Sequence, residues 1–180
     1  MLYATDYASP LGCSLALVSN GDSLVGLWLD GQKYFAATVK SDVERKPGLP
    51  VFAAVKKWLD AYFAGRKPAV SDVPLAPQGG EFRQAVWEFL LQIPYGQCVT
   101  YGDIAKKTAA RLGRETMSSQ AVGGAVGHNP ISIIIPCHRV VGAGGSLTGY
   151  AGGLDKKIQL LTHEGLDMSR FSIPQKGTAL

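Results

Sequence analysis

The stretch "TYGDIAKKTAARLGRETMSSQAVGGAVGHNP" (residues 100–130) predicts two short helices joined by a turn. Thr100 is a suitable N-cap, and Asp103 follows at the spacing of a capping box. Serines open the second helix, and Asn129-Pro130 closes it, because proline disfavours a helical conformation in the residue before it. The pair resembles a helix-turn-helix, so we expect the second half of the chain to be mostly helical.

The second of these helices carries Gly123 and Gly124 in its middle. Each glycine costs about 1 kcal/mol relative to alanine in a helix interior. Small residues at this place indicate either tight helix packing inside the domain or close approach of a nucleic-acid groove. Composition alone leaves both interpretations open.

Two further helices flank this pair. A helical apolar pattern is followed by Pro94, which prevents the helix from continuing. Its members are Phe82, Ala85, Val86, Phe89 and Leu90. A last helix is predicted from Leu154 to Glu164, with Leu154, Ile158 and Leu161 on one face and Gly165 as its stop signal.

The first half of the chain has a different pattern. Two β-prone runs surround Asn20-Gly21, a dipeptide typical of hairpin turns, and predict an antiparallel sheet. Downstream, a helical stripe ends at Gly65 and consists of Phe52, Val55, Leu59 and Tyr62. The fold class predicted for the whole chain is therefore α+β.

Residues 67–80 are rich in Pro, Gly and Ser and lack periodicity, as linkers do. We expect an N-terminal α+β domain with its linker at residues 1–78 and a C-terminal domain at 79–170. Residues 171–180 are expected to be a frayed tail.

Composition limits the class of protein. The 180 residues are 46% hydrophobic, which is ordinary for a globular chain. Neither a secretory leader nor a run of about 20 apolar residues occurs, so we expect a cytoplasmic protein without membrane contact. The net charge of +4 comes from the second half, which suits a polyanionic partner but equally a solvated surface.

Cys13, Cys98 and Cys137 are far apart and show no C-x-x-C spacing, so we predict neither disulfides nor a metal site. Cys137 lies in "ISIIIPCHRVVG" (residues 131–142), directly before His138. A thiolate nucleophile needs a base, and His138 could serve through a turn or a bridging water, with a carboxylate orienting the ring. On these residues alone, a buried cysteine that merely fills the core remains the default interpretation.

Three blocks in order resemble the O6-alkylguanine-DNA alkyltransferases, also called methylated-DNA–protein-cysteine methyltransferases. They are "FRQAVWEFLLQIPYGQCVTYGDIA", "NPISIIIPCHRVVG" and "GSLTGYAGGLDKKIQLLTHEG", and together they cover most of residues 81–165. The N-terminal part resembles the family only loosely.

The resemblance implies direct-reversal DNA repair. The N-terminal domain would be an antiparallel sheet with a helix, ribonuclease H-like, and the C-terminal domain a helix-turn-helix alkyltransferase. A methyl or other alkyl group would pass irreversibly from O6-alkylguanine, with O4-alkylthymine as a further candidate, to a cysteine of the protein. The partner would be double-stranded alkylated DNA, and a monomer without cofactor or obligate protein partner is expected.

The family's catalytic roles fall on five residues of this sequence. The resemblance makes Cys137 the alkyl acceptor, His138 a water-mediated base and Glu164 the carboxylate that orients it. Tyr101 would donate a proton to the departing guanine. Asn129 would hold the cysteine segment against the helix-turn-helix.

The resemblance also implies the binding residues. Backbone groups at Val140, with Tyr150 and Ala151, would line the pocket for a flipped-out base. The second helix would enter the minor groove, where only small side chains fit. The residues expected to contact DNA are Gln120, Ala121, Gly123, Gly124 and Tyr101.

Two positions depart from the family pattern. Gln120 stands where an arginine typically fills the space left by the flipped base, and Ala151 stands where serine is frequent. Arg139 carries a charge that suits DNA, but beside a buried cysteine an ion pair is the favoured prediction.

Two other functions compete with alkyl transfer. A non-catalytic protein that binds alkylated DNA and flags lesions would resemble the family but would lack the acceptor cysteine. A helix-turn-helix transcription regulator would need long polar side chains to read bases, and the second helix has few of them.

Overall fold

A computed structural model describes residues 1–174, which form two compact units. The first unit contains Met1–Gln78 and Pro130–Ile134. The second contains Gly79–Asn129 and the chain from Ile135 onwards. The mixed α+β fold is as the sequence predicted. No helix in residues 1–174 is long and apolar enough to cross a membrane.

A four-stranded sheet forms the framework of the first unit. Its strands are β1 (Leu2–Ala8), β2 (Ser14–Ser19), β3 (Leu24–Leu29) and β4 (Val43–Arg45). They lie in the order β3-β2-β1-β4, with β4 parallel to β1 and the other pairs antiparallel. The hairpin predicted around Asn20-Gly21 is confirmed as the β2–β3 connection, where the Asn20 side chain accepts from the backbone N–H of Ser23 at 2.8 Å.

Helix α1 (Pro50–Phe63) supplies the other layer of this unit. The four residues of the predicted stripe are all buried. Proline at the helix start is favourable because its missing N–H would have no partner there. The helix ends as predicted, with Gly65 in the left-handed conformation at φ +74°.

The free edge of β3 explains why the first unit is discontinuous. Leu24 donates to the Pro74 carbonyl at 2.8 Å, and Leu27 donates to the Pro130 carbonyl at 2.8 Å. An unpaired strand edge leaves N–H and C=O groups without partners, so two distant segments supply them. The expected linker up to residue 78 groups with the first unit, and residues 130–134, which we expected in the C-terminal domain, group with it as well.

The second unit is mostly helical, as predicted. Its helices are α2 (Glu81–Leu91), α3 (Tyr101–Arg111), α4 (Ser119–Gly127) and α5 (Leu154–His163). Strands β5 (Val99–Thr100) and β6 (Val140–Val141) pair in parallel. This short pairing joins the start of α3 to the segment that follows Cys137.

The caps of the two central helices are those that the sequence predicted. Thr100 Oγ1 accepts from the Asp103 N–H at 3.1 Å, and Asp103 Oδ2 accepts from the Thr100 N–H at 3.0 Å, which completes a capping box. Ser118 Oγ accepts from the N–H groups of Gln120 and Ala121. The sequence-predicted start of each helix is thereby confirmed.

The expected tail does not begin at Phe171. Leu147 donates to the Ser172 carbonyl at 2.8 Å, and Ser172 donates to the Gly145 carbonyl at 3.1 Å. Phe171 packs against an apolar cluster that contains Val141 and Leu161. These hydrogen bonds and the packing of Phe171 hold residues 171 and 172 in place; residues 175–180 of the expected tail lie outside the described chain.

Candidate active site

Cys137 opens a 3-10 turn, Cys137–Arg139, that precedes β6. The cysteine is buried, and its N–H donates to the Ile135 carbonyl at 2.8 Å. The Asn129 side-chain amide donates to the same carbonyl at 2.8 Å. Burial raises the pKa of the Cys137 thiol, while Asn129, Lys157 and nearby backbone N–H groups act in the opposite direction.

His138 is fully buried in the same turn, and its Nε2 lies 2.6 Å from Glu164 Oε1. Because an ionised carboxylate can only accept, Nε2 carries the hydrogen and Nδ1 keeps a lone pair. Within the described chain, Nδ1 is buried and has no hydrogen-bond partner. Burial lowers the pKa of His138 despite the opposing charge of Glu164, so the ring is neutral and its Nδ1 can accept a proton.

Glu164, at the C-terminal end of α5, accepts hydrogen bonds on both oxygens. Oε1 accepts from His138 and from Arg139 Nη2, and Oε2 accepts from Arg139 Nε and from the Gly96 N–H. Burial by itself would raise the pKa of Glu164, but the hydrogen bonds and charges of His138 and Arg139 hold it well below its usual range. The carboxylate is therefore ionised at neutral pH.

Arg139 forms the ion pair that the sequence favoured. Its Nε and Nη2 bind Glu164 at 2.8 and 2.9 Å, and its Nη1 donates to the Ile93 carbonyl at 2.7 Å. Its side chain is only 10% exposed. These hydrogen bonds therefore hold the guanidinium in the protein interior.

Tyr101 is the first residue of α3, placed there by the capping box. Its hydroxyl lies 3.1 Å from both the Thr148 and Gly149 carbonyls, which share its one hydrogen. Burial, followed by the charge of Cys137, raises the pKa of Tyr101. The hydroxyl therefore stays protonated and can donate.

The expected pocket residues follow the cysteine turn. Val140 is buried, and its carbonyl accepts from Lys157 Nζ at 2.5 Å. Tyr150 and Ala151 are half-buried in the loop before α5. The sequence interpretation missed Lys157, although it falls within the apolar stripe between Leu154 and Leu161, where a lysine is unexpected.

Helix α4 presents the residues expected to contact DNA. Gln120, Ala121 and Gly124 are exposed and Gly123 is half-buried. A Cβ at Gly124 would meet nothing within 4 Å, and one at Gly123 would lie at an ordinary 3.9 Å from the Tyr101 ring. Tight packing within the unit therefore does not require glycine at either position.

Among residues 1–174, no group of three or more His, Cys, Asp or Glu side chains could hold a metal ion.

Family models match almost the whole chain. The DNA binding domain of 6-O-methylguanine DNA methyltransferase matches residues 81–166, and the ribonuclease-like domain of the same family matches residues 1–77. The chain belongs to the 6-O-methylguanine DNA methyltransferase family. The family likeness thus extends over the N-terminal half, which the sequence blocks matched only loosely.

Named relatives of this methyltransferase family are similar over most of their length. The methylated-DNA–protein-cysteine methyltransferase of Haemophilus influenzae is 40% identical over 163 residues, covering 91% of this chain and 86% of the relative. The Mycobacterium tuberculosis protein of the same name is 42% identical over 164 residues, covering 91% and 93%.

Solved structures of the methyltransferase family have the same fold. A crystal structure of Mycobacterium tuberculosis OGT in complex with DNA is 41% identical with a TM-score of 0.75, covering 94% of each chain. An O6-methylguanine DNA methyltransferase from Methanococcus jannaschii is 29% identical with a TM-score of 0.64, covering 97% of this chain and 99% of that one.

Proposed function

We propose that this protein repairs DNA by transferring a methyl or other alkyl group from O6 of guanine to Cys137, irreversibly and once per molecule. One observation carries the proposal: a buried cysteine is followed by a neutral histidine whose Nδ1 has no partner in the described chain and whose Nε2 is bound to an ionised carboxylate. That is the arrangement of nucleophile, base and orienting group. The names of the relatives, and the DNA in one of their structures, agree with it.

Activation begins with the thiol proton. A water molecule between the Cys137 sulfur and His138 Nδ1 would carry that proton to the ring. The resulting imidazolium lies 2.6 Å from Glu164, whose negative charge stabilises it. The thiolate forms in a buried site, where it is poorly solvated and reactive.

Transfer forms the S–C bond as the bond from carbon to O6 breaks. The guanine takes the electron pair, the Tyr101 hydroxyl stabilises the developing anion by donating a hydrogen bond, and the proton that His138 took from the thiol is available to neutralise it. This hydroxyl binds the Thr148 and Gly149 carbonyls in the structure, so donation to the base requires it to turn from them. The thioether left on Cys137 has no leaving group that water could displace, which makes the protein a single-turnover enzyme.

The residues after the cysteine turn position the flipped base. We assign the backbone of Val140, the Tyr150 ring and Ala151 to the walls around the flipped base. Ala151 lacks a hydroxyl and contributes only a contact surface. Asn129 fixes the cysteine segment through the Ile135 carbonyl.

DNA enters along α4, with Gln120, Ala121, Gly123 and Gly124 against the minor groove. This groove is only about 6 Å wide, so a helix face with two glycines and an alanine suits it. Because the two glycines have no packing requirement inside the unit, close approach from outside is the better reason for them. Few of these groups can read bases, as repair at any sequence requires.

The same proposal covers the DNA partner, the location, the oligomeric state and the roles of the two domains. We expect the protein to act on double-stranded DNA as a cytoplasmic monomer, with residues 1–78 as a scaffolding domain and residues 79–170 as the alkyltransferase domain. The alternative, a lesion-binding protein without transfer activity, would have no use for a buried and activated cysteine.

Intact-protein mass after incubation with duplex DNA containing O6-methylguanine tests the proposal. We expect a gain of one methyl group, located on the peptide that contains Cys137. Cys137→Ser should abolish the gain and keep DNA binding, because a hydroxyl is too weakly acidic for this base. Cys13→Ser and Cys98→Ser are the matched controls and should react normally. An unchanged mass together with tight DNA binding would favour the lesion-binding alternative.

A further inference from the structure

Lys157 is a lysine without exposed surface on the inner face of α5. Its ammonium donates to the Val140 carbonyl at 2.5 Å and to the Thr148 carbonyl at 3.1 Å. These carbonyls bound the loop that runs from the cysteine turn to the expected base pocket. The Thr148 carbonyl is also one of the two that the Tyr101 hydroxyl contacts.

In the part of the chain that the structure describes, no carboxylate neutralises the charge of Lys157. Within residues 1–174, its hydrogen bonds go to the two carbonyls, and no ion pair with Asp or Glu is present. The other cation of the site, Arg139, is bound to Glu164. A buried ammonium without a counterion is costly, so retaining one indicates a use for its charge.

The titratable groups that face Lys157 are Cys137, Cys98 and His138. Its positive charge lowers the pKa of both thiols. Burial lowers the pKa of Lys157 itself to about 8, and the two thiolates act to raise it. The coupling is therefore mutual, as thermodynamic linkage requires.

We propose that Lys157 is a positioning residue for the transfer reaction, one that ties both ends of the pocket loop together and supplies the positive charge that favours the Cys137 thiolate. This proposal rests on the proposed transfer to Cys137. In this proposal, His138 accepts the thiol proton, and Lys157 stabilises the thiolate that remains.

If Lys157 acts only through its hydrogen bonds, its variants should behave differently from those expected if its charge is required. Lys157→Gln can still donate a hydrogen bond but carries no charge, whereas Lys157→Met can do neither. Lys156→Met is the matched control, because Lys156 is the adjacent lysine and lies near Asp155. A charge effect requires Gln and Met to behave alike.

The readout is the reaction of Cys137 with iodoacetamide across the neutral and alkaline pH range, followed by the mass of its peptide. In this reaction the thiolate displaces iodide, and no DNA is needed. We expect both Lys157 variants to react about tenfold more slowly at neutral pH, with a midpoint about one pH unit higher. Lys156→Met should keep the midpoint of the unaltered protein. A folded Lys157→Gln or Lys157→Met protein with an unshifted midpoint would overturn the proposal.

The unaltered protein provides a second measurement that needs no variant. The side-chain NMR titration of Lys157 is compared before and after Cys137 is alkylated with iodoacetamide. Loss of the thiolate should lower the pKa of Lys157, and an unchanged titration would contradict the coupling. Failure of methyl transfer from DNA, with the iodoacetamide shifts intact, would instead refute the proposed function alone.

Discussion

Replacing Glu164 with glutamine should destabilise the protein severely. Each carboxylate oxygen accepts two hydrogen bonds, so the amide nitrogen of glutamine would face two donors in either orientation. The substitution also leaves Arg139 buried without its counterion. Breaking a buried ion pair by removing one partner costs about 3–5 kcal/mol, and we expect a loss in this range at neutral pH.

Urea unfolding at pH 7, followed by circular dichroism, measures this loss. The matched control is Glu88→Gln, because Glu88 pairs with Arg111 and both side chains are 47% exposed. An exposed pair contributes about 0–1 kcal/mol, so the control should unfold almost as the unaltered protein does. If Glu164→Gln and Glu88→Gln lower the free energy of unfolding equally, the hydrogen-bond donors around Glu164 contribute no special stability and this reasoning is wrong.

The same variant should slow alkyl transfer in single-turnover assays while DNA binding persists. Glutamine cannot stabilise the imidazolium that forms when His138 accepts the thiol proton. Unchanged transfer kinetics across the neutral range, measured on folded protein, would remove Glu164 from the mechanism.

Three further predictions concern the pH dependence of stability, helix capping and DNA binding. The folded-state pKa of Glu164 is depressed, so its contribution is fully present above about pH 4.3, the value for an unfolded chain, and is lost as the pH falls towards the folded value. The difference in unfolding free energy between the unaltered protein and Glu164→Gln should therefore shrink in acid; a constant difference would contradict this. Thr100→Ala removes the N-cap acceptor of α3 and should cost about 1 kcal/mol by urea unfolding, with Thr116→Ala, an exposed site outside the helices, as a near-silent control. Gln120→Arg should tighten duplex binding, add about one to the slope of log K against log salt and speed transfer in duplex DNA. Gln120→Ala should do the reverse, and transfer from free O6-alkylguanine should barely change in either variant; identical behaviour of all three proteins on duplex DNA would show that Gln120 does not fill the vacated stack.

Local signals in the sequence predicted the helices well. Caps such as Thr100 and Ser118, and stop signals such as Gly65, act through neighbours within a few residues, so the chain displays them directly. The hairpin at Asn20-Gly21 is equally local. Strand β1 and the segments that pair with the edge of β3 were not predicted, because their partners lie far along the chain.

The sequence indicated members of the candidate site but not its electrostatics. The family likeness indicated Cys137, His138 and Glu164, and the structure brings His138 and Glu164 into contact. The burial of Lys157 could not be deduced, because a lysine in a helix is normally exposed and its acceptors, the Val140 and Thr148 carbonyls, become neighbours only after folding. Its position in an apolar stripe was the one available signal.

The pairing of strand β3 with residues far along the chain affects folding during synthesis on the ribosome. Strand β3 is completed at Leu29, yet the backbone partner for Leu27 is Pro130, about a hundred residues later. A nascent chain therefore displays an open strand edge for most of its production, a state prone to pairing with other chains. The edge closes only when residues 130–134 have emerged, just ahead of Cys137. Fragments that stop at residue 78 should accordingly aggregate, because the scaffold cannot finish folding until the segment leading into the reactive cysteine has been made.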